Sequence, residues 1–465
     1  MKRAAEQVAR VHAALYAFGS DVLARCSPAL QRLRARLPSA ADWRLRAAPM
    51  IHLSFWAAAA FVGIGAVLFA RLIELVQTNY LRLYAAHPVW ALAAMPLLFL
   101  GAAALVVKLA PEAKGSGIPQ VLVAIEHASK TNDMSGVSAL VSLRTAAVKT
   151  LSTTLAVLGG ASIGREGPTV QLASSAFAQI GMIARRYMPQ IQMQSYLVAG
   201  AAGGVAAAFN TPLAGVAFAL EEIAEDVFGQ FKQFVMVSVI IAGVAAQALA
   251  GNYLYFGRPK TTDPSATIAL VAIVIGLVGG FVGGWFGRLL ASPPRLLAHQ
   301  TWWARALACG VACALLAWWS HGATIGSGYE ITREFMEGRR ATLPNTLAPA
   351  KLAATVFSYL SGMAGGIFAP SLSIGAGVGT SVGTLFGVAN LRTCALIGMV
   401  AFFTGTVQAP LTAIIIVTEM TDKHVLILPL MAAALVANGV SKRIMPTSLY
   451  RRLARATTHP EAPPP

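Results

Sequence analysis

Long apolar runs constrain this chain more than any other feature of its sequence. They recur along most of its 465 residues, at 51–76, 88–109, 136–163, 196–220, 233–250, 266–291, 304–319, 351–389 and 394–440. A bilayer offers the backbone no hydrogen-bond partners, so apolar segments of this length cross it as helices. Several runs are too long for one span or are broken by Gly and Pro, so we expect some to hold two short helices. The chain is therefore predicted to be an all-α polytopic membrane protein.

The charge of the chain supports the same interpretation. Only 12% of the residues are charged, against roughly 25% in soluble domains. A net charge of +17 invites a nucleic-acid partner, but Lys and Arg are concentrated before Met50 and after Ser441. Basic flanks of a membrane domain follow from the excess of Lys and Arg on the cytoplasmic side. We therefore predict no nucleic-acid partner, and an integral multi-pass protein of the cell (inner) membrane with both termini cytoplasmic.

Three Gly- and Pro-rich motifs of the first half recur in the same order in the second half. The pairs are GSG at 115–117 and 326–328, GREGP at 164–168 with GIFAP at 366–370, and TPLAG at 211–215 with APLTA at 409–413. Matched Gly- and Pro-interrupted segments in two halves indicate a transporter with internal repeats and a site near the bilayer midplane. The sequence alone leaves open whether the repeats are inverted.

The repeats suggest a division of the chain into four parts. We expect a basic cytoplasmic arm at 1–48, a first membrane repeat at 49–250 and a second at 251–440. A C-terminal segment at 441–465 contains Tyr450 and a short Pro-rich cytoplasmic tail.

The GREGP segment opens a long run of small and apolar residues. Pro168 suits the first turn of a helix, and Gly164 and Gly167 allow a close approach of the backbone. Such a turn aims free N–H groups and the positive end of the helix dipole at one point, which makes an anion site. Glu166 lies at that point and, as an anion itself, is able to compete with a soluble anion. The alternative is an ordinary helix start with a solvated pair of Glu166 and Arg165.

Comparison of the halves separates the glutamates into two groups. Glu166 and Glu222 have apolar residues at their counterpart positions, whereas Glu221 is matched by Glu419. We therefore expect Glu166 and Glu222 to be functional, and Glu221 and Glu419 to be shared structural residues. The four cysteines form no metal-binding pattern, so we expect no metal site and interpret them as small packing residues.

The motifs GSGIP at 115–119, GREGP at 164–168 and GIFAP at 366–370, with Tyr450 after the last helix, resemble one family. It is the CLC family of chloride channels and chloride/proton antiporters, in its prokaryotic type without C-terminal nucleotide-binding domains. The resemblance covers about residues 50–455. It implies two inverted-topology repeats of short, tilted and partly re-entrant helices, within a homodimer that has one anion pathway per subunit. Chloride is then the substrate ion, and no cofactor is expected.

The resemblance also implies roles for individual residues. Glu166 matches the external gate, and Glu222 matches the internal proton-transfer glutamate of the antiporter branch. Chloride is expected to be bound by hydroxyls and by the residues of the helix starts, at Ser116, Gly117, Ile118, Arg165, Gly167, Ile367, Phe368 and Tyr450. Donors of this kind replace the ion's water without trapping it, as conduction requires. From the residues alone, Ser327 is indistinguishable from Ser116, and Tyr450 is better interpreted as an anchor at the membrane interface.

One departure from the family concerns a lysine. Lys149 matches a buried lysine that pairs, in some bacterial members, with a glutamate just after GSGIP. Here that position holds Leu122, with Gln120 nearby. We expect Lys149 to pair with Glu126 instead or to lack a charged partner. The GSGIP and GREGP regions, which fluoride-specific members alter, are unaltered, which argues against fluoride.

Two other functions are compatible with parts of the sequence. A passive voltage- or pH-gated chloride channel of the same family commonly lacks the second glutamate, so Glu166 and Glu222 together favour the antiporter. An intramembrane enzyme with Ser116 or Ser327 as nucleophile needs a His or Lys base within a membrane segment. Most of the eight histidines lie at segment ends or in loops. We therefore expect a transporter and not an enzyme.

Overall fold

A computed structural model describes residues 40–187, 191–223, 228–251, 253–261, 265–292 and 300–458. Most of the predicted basic arm at 1–48, and the last residues of the tail, lie outside these ranges. The contacts within the chain divide it into Met1–Leu53 and Ser54–Pro465. Every contact described below lies within the second unit.

The described residues form a succession of α-helices. These are α1 Ala40–Ala86, α2 Pro88–Leu109, α3 Ile118–Thr131, α4 Leu143–Leu158, α5 Glu166–Tyr187, α6 Met193–Phe209, α7 Pro212–Phe218, α8 Phe228–Ala250, α9 Ala266–Ala291, α10 Trp302–Trp319, α11 Tyr329–Met336, α12 Leu347–Leu360, α13 Phe368–Leu385, α14 Leu391–Val407, α15 Pro410–Thr421, α16 Ile427–Ile444 and α17 Leu449–Thr458. Short 3₁₀ turns lie at Pro111–Ala113, Ser138–Val141 and His424–Leu426, and one π-helical turn follows α7 at Ala219–Ile223.

Many of these helices have the length and apolar character of membrane segments. Within the described part of the chain, six stretches are long and apolar enough to cross a bilayer: Ile51–Ala86, Pro88–Leu109, Gln233–Ala250, Ala266–Ala291, Trp302–Trp319 and His424–Thr457. Others, including α6, α12, α14 and α15, are apolar but shorter, and at 1.5 Å per residue they do not span the hydrocarbon core alone. The prediction of an all-α polytopic membrane protein with short helices is confirmed.

The centre of the molecule is built around α6 and α14. All of α6 is buried, and α14 is buried from Thr393 to Val407. Small residues let the neighbouring helices approach closely: a side chain at Gly204 of α6 would lie 2.8 Å from the Cβ of Ala173 in α5. Helices in a membrane associate through such small-residue contacts. This packing holds the beginnings of α5 and α13 deep inside the protein.

The helix order repeats as the motifs predicted. Helices α1–α8 correspond in order to α9–α16, and α17 follows outside the repeat. The GSG turns precede α3 and α11, while GREGP and GIFAP open α5 and α13. The equivalent glycines Gly164 and Gly366 donate to each other's carbonyl at 2.7 and 2.8 Å, in an antiparallel pair. Reciprocal pairing of equivalent residues is what a two-fold relation between the halves produces.

A second reciprocal contact involves the two matched glutamates. The Glu221 carboxylate accepts hydrogen bonds from the amides of Leu411 and Thr412 at 2.9 and 2.7 Å, and from the Thr412 hydroxyl at 2.7 Å. Glu419 accepts hydrogen bonds from two amides in the first turn of α7, at 3.2 and 2.8 Å. The first amides of a helix have no partner within it, and a carboxylate there also favours the helix dipole. The prediction that Glu221 and Glu419 are shared structural residues is confirmed.

Candidate anion pathway

The three family-like motifs meet in one set of backbone hydrogen bonds. The Gly115 amide donates to the Met363 carbonyl at 3.0 Å, and the Gly365 amide donates to the Gly115 carbonyl at 3.0 Å. Together with the Gly164–Gly366 pair, these residues form what we call the motif junction. The junction ties the starts of α3, α5 and α13 together, so their free amides are held in one region.

Two glycines allow the helix starts to come this close. Gly117, just before α3, has φ = +98°, and a side chain there would lie 2.7 Å from the Gln171 carboxamide oxygen of α5. A side chain at Gly167 would lie 2.8 Å from the Ser116 carbonyl oxygen. Glycine avoids both the strain of a positive φ at Gly117 and the clash that a side chain would make at either position. The first turn of α5 therefore lies directly against Ser116.

Two buried hydroxyls lie beside this contact. Ser116 is 2% exposed and Tyr450 is fully buried, and Ser116 lies close to the Tyr450 hydroxyl. Neither hydroxyl has a hydrogen-bond partner among the described residues, although a buried hydroxyl left unpaired costs about 1–3 kcal/mol. Tyr450 belongs to α17, which packs against α3. Two donors without an acceptor, next to free helix amides, suit a small anion.

The start of α13 offers its backbone rather than its side chains. Ile367 precedes the helix and Phe368 begins it, and both are 1% exposed. The Phe368 ring packs against Phe209 and Phe403, with ring centroids 4.8 and 4.1 Å apart. With the side chains packed in this way, the polar groups available at this helix start are the backbone amides.

Glu166 is buried and is not part of a solvated ion pair. It is 2% exposed, and its Oε1 accepts a hydrogen bond from the Tyr255 hydroxyl at 3.2 Å. The carboxylate also lies near the amide of Ala369, in the first turn of α13. Arg165 points elsewhere and donates from Nη1 to the Ala70 carbonyl at 2.8 Å. The Glu166 carboxylate therefore lies at the start of α13, and helix starts are typical binding sites for anions.

A cavity of about 260 Å³ lies next to Glu166 and is called the Glu166 cavity. Its charged lining residues are Arg71, Glu74, Arg165, Glu166, Glu330 and Arg333. Ser327 also lines it, and the Ser327 hydroxyl accepts a hydrogen bond from the Tyr329 amide at 3.3 Å. The structure thus separates Ser327 from Ser116. The Ser327 hydroxyl accepts a hydrogen bond from the first amide of α11, whereas the Ser116 hydroxyl has no such contact.

Glu222 also lies near Tyr450. It belongs to the π-helical turn after α7, is 3% exposed, and accepts a hydrogen bond from the Ser448 hydroxyl at 3.1 Å. Ser448 directly precedes α17. Both Glu222 and Glu166 are close enough to Tyr450 for electrostatic interaction with its hydroxyl. The two glutamates that the sequence singled out are therefore both buried and both close to the same buried tyrosine.

A second cavity, the Gly115 cavity, has a volume of about 550 Å³. It is lined by Gly115, by Tyr359, and by Leu453 of α17, together with the basic side chains of Lys114 and Arg305. Each of the two cavities therefore borders residues of the motifs: Arg165 and Glu166 line the Glu166 cavity, and Gly115 lines the Gly115 cavity.

The structure resolves the two alternatives for Lys149. Glu126 is at the surface and pairs with Lys130 at 2.6 Å, so the predicted pairing with Glu126 is wrong. Lys149 is fully buried, and its ammonium group donates to the Gly115 carbonyl at 2.8 Å. Lys149 therefore stabilises the GSG turn through a direct hydrogen bond.

A second buried lysine donates in the same way to the GSG turn of the second half. Lys351 is fully buried and donates to the carbonyls of Thr324, at 2.8 Å, and Gly326. It lies 202 residues after Lys149, the same offset that separates GREGP from GIFAP. Sequence reasoning missed Lys351, although extending the repeat alignment by that offset would have found it.

Comparison with known proteins agrees with the fold. The model of the family described as voltage gated chloride channel matches residues 98–442. The chain is 30% identical over 440 residues to the H(+)/Cl(-) exchange transporter ClcA of Yersinia pestis bv. Antiqua (strain Angola), covering 88% of each chain. It is also 30% identical over 428 residues to the ClcA of Cronobacter sakazakii, covering 86% of this chain and 88% of that one. The protein belongs to the voltage-gated chloride channel family, known as CLC.

Solved structures show the same fold. A slow cyanobacterial Cl⁻/H⁺ antiporter superimposes with a TM-score of 0.75 at 24% identity, covering 88% of this chain and 98% of that one. A CLC-type fluoride/proton antiporter superimposes with a TM-score of 0.73 at 23% identity, covering 87% and 97%. The predicted architecture of two inverted repeats of short helices is confirmed. The protein is a membrane transporter and not an enzyme.

Proposed function

We propose that this protein exchanges chloride for protons across the membrane. The observation that carries the proposal is the placement of two buried carboxylates, Glu166 and Glu222, near the Tyr450 hydroxyl, which like the Ser116 hydroxyl has no hydrogen-bond partner among the described residues. The hydroxyls do not titrate near neutral pH, so they suit the anion, whereas the carboxylates are able to carry the proton. The names of the ClcA relatives describe the same exchange.

Chloride binds at the Ser116 and Tyr450 hydroxyls, beside the motif junction. The Ser116 and Tyr450 hydroxyls donate to the ion, and the amides of the three helix starts add partial positive charge. These amides come from the segments that contain Gly117, Ile118, Gly167, Ile367 and Phe368. Arg165 adds positive charge to the Glu166 cavity. We favour chloride over fluoride because the GSGIP and GREGP motifs are intact.

Glu166 acts as the external gate. As a carboxylate it occupies an anion position at the start of α13, in competition with chloride. Protonation removes its charge, so the side chain leaves the position and chloride takes it. The Glu166 cavity is then the mouth on the external side.

Glu222 acts as the internal proton relay. It is buried beside Ser448 and near Tyr450, so a proton taken up from the cytoplasm stops there on its way to Glu166. Chloride does not need Glu222, because its donors lie at Ser116 and Tyr450. Proton and chloride thus share the region of Tyr450 and Glu166 but reach it from the cytoplasm by different routes.

The proposal includes the assembly and the location of the protein. We propose a homodimer with one pathway per subunit, in the cell (inner) membrane, with both termini cytoplasmic. Membership of the family and the basic residues near both ends of the chain support it. Mass measurement of the purified protein in detergent tests the dimer, and accessibility of tags at the two termini tests the orientation.

One experiment tests the exchange. Purified protein in liposomes is given an outward chloride gradient, and the external proton concentration is followed. Wild-type protein should drive protons uphill, whereas Glu222→Gln should carry chloride at a similar rate without proton movement. The adjacent Glu221→Gln is the matched control and should retain coupling, because Glu221 caps α15. Chloride flux without any proton movement in the wild type would favour the passive channel instead.

A further inference from the structure

A tyrosine outside the family-like motifs contacts the Glu166 carboxylate. Tyr255 lies on the segment between α8 and α9, which joins the two repeats. It is 3% exposed, and its hydroxyl donates to Glu166 Oε1 at 3.2 Å. This is the one side-chain hydrogen bond to Glu166 found among the described residues. The linker between the repeats therefore reaches into the site that the repeats build.

The Tyr255 ring is held by aromatic neighbours from α6, from α11 and from the linker itself. Its centroid lies 4.5 Å from Tyr329, 5.0 Å from Phe256 and 5.9 Å from Phe209. The linker is held in turn by the Phe256 amide, which donates to the Met420 carbonyl at 3.2 Å. A ring clamped on several sides has little freedom to follow a moving partner. The hydroxyl therefore stays in place, and the carboxylate is the group that moves.

The chemistry of this contact favours one state of Glu166. A phenol donates a stronger hydrogen bond to a carboxylate than to a neutral carboxylic acid. The contact also exists only while the side chain keeps its present position next to α13. It therefore stabilises the ionised, seated carboxylate relative to the protonated or displaced one. The other charged or titratable groups that face Glu166 or its cavity are Arg71, Glu74, Arg165, Tyr253, Tyr329, Glu330, Arg333 and Tyr450.

We propose that Tyr255 is a positioning residue that holds the Glu166 carboxylate in the anion pathway and so sets the pH at which this gate opens. The inference rests on the gate role of Glu166 in the proposed function. It adds a residue that neither the motifs nor the repeat would select, since Tyr255 lies in the linker and has no repeat counterpart.

The test is the pH dependence of chloride flux from liposomes. Tyr255→Phe keeps the ring and removes the donor, so the gate should open at a lower proton concentration. A hydrogen bond to a charged group corresponds to a shift of about one pH unit, or about a tenfold change in proton affinity. The flux curve of Tyr255→Phe should therefore move to higher pH by about that amount, with a higher flux at neutral pH.

Two further variants make the test specific. Tyr329→Phe removes a hydroxyl from the same aromatic cluster, but that hydroxyl accepts a hydrogen bond from Arg333 at 2.9 Å, and no hydrogen bond from it to Glu166 is found among the described residues. Its curve should coincide with that of the wild type. In a Glu166→Ala background the acceptor is absent, so adding Tyr255→Phe should change nothing.

The outcomes separate this inference from the proposed function. An unchanged midpoint in Tyr255→Phe, an equal shift in Tyr329→Phe, or a shift that persists in Glu166→Ala would overturn the role of Tyr255. Chloride flux can be followed whether or not protons move with it. A wild type without proton movement would refute the exchange while leaving the Tyr255 test intact.

Discussion

Glu221 and Glu419 should be required for stability and dispensable for coupling. In Glu221→Gln, only one of the two carboxylate oxygens remains to accept hydrogen bonds. The other is replaced by an NH₂ group, which is a donor and therefore repels the backbone N–H that it faces. Of the three hydrogen bonds that Glu221 accepts from α15, those at 2.7 Å come from the amide and hydroxyl of Thr412. At least one of these contacts must be lost.

The magnitude follows from these contacts. A hydrogen bond to a charged group contributes about 1.5–3 kcal/mol, and a carboxylate at a helix start adds about 0.3–1 kcal/mol. Glu221 is partly exposed, so we expect a loss of about 2–3 kcal/mol. With an unfolding entropy of roughly 2.1 cal/mol/K per residue, this lowers the unfolding temperature of a chain of this size by about 3 °C. Glu419→Gln should have a smaller effect, because Glu419 accepts two bonds, at 3.2 and 2.8 Å.

Thermal unfolding of the purified protein in detergent measures the shift, and the liposome assay measures coupling on the same samples. Glu222→Gln is the matched comparison, since it changes the adjacent residue in the opposite way: coupling is lost and the unfolding temperature is nearly kept. The reasoning is refuted if Glu221→Gln unfolds at the wild-type temperature, or if it abolishes proton movement while remaining equally stable.

Three further predictions follow from the site. Ser116→Pro removes a hydroxyl and an amide donor, so nitrate flux should rise relative to chloride flux; an unchanged ratio in anion-flux measurements would exclude Ser116 as a ligand. Lys149→Met should be tolerated at least as well as Lys149→Glu. In the Met variant the Gly115 carbonyl still accepts the hydrogen bond from the Gly365 amide, whereas a buried carboxylate in the Glu variant costs several kcal/mol. If both variants unfold at the wild-type temperature, the buried placement of Lys149 is contradicted. Glu166→Gln should carry chloride without coupled protons and without acid dependence, and proton pumping by this variant would rule out the gate.

The starts of the helices were predictable because their signals are local. Gly and Pro in GSGIP, GREGP and GIFAP mark turns into helices, and α3, α5 and α13 begin within these motifs. The repeat was predictable for the same reason, since its motifs keep their order. Glu166 and Glu222 were also singled out from the sequence as functional residues, because an unmatched carboxylate in an apolar chain is a functional hypothesis, whereas their burial was left open.

The contacts between distant segments could not be predicted in this way. Tyr255 reaches Glu166 from 89 residues away, through a linker whose path depends on how both repeats pack. The contacts of Glu221 with the start of α15, and of Glu419 with the start of α7, likewise depend on the two-fold arrangement of the halves. The motifs alone left that arrangement open. Glu126 was a plausible partner for Lys149 by proximity in sequence, but its position on α3 places it at the surface.

The motif junction has a consequence for how the protein is made. Gly366 is synthesised 202 residues after Gly164, which at roughly 5–20 residues per second takes about 10–40 s. Until then the Gly164 amide and carbonyl lack their partners, and an unsatisfied backbone group inside a bilayer costs several kcal/mol. The first half therefore cannot settle as a finished unit while the ribosome completes the second. A nascent chain that stops before Gly366 therefore cannot form the motif junction, whatever the rest of its first half has built.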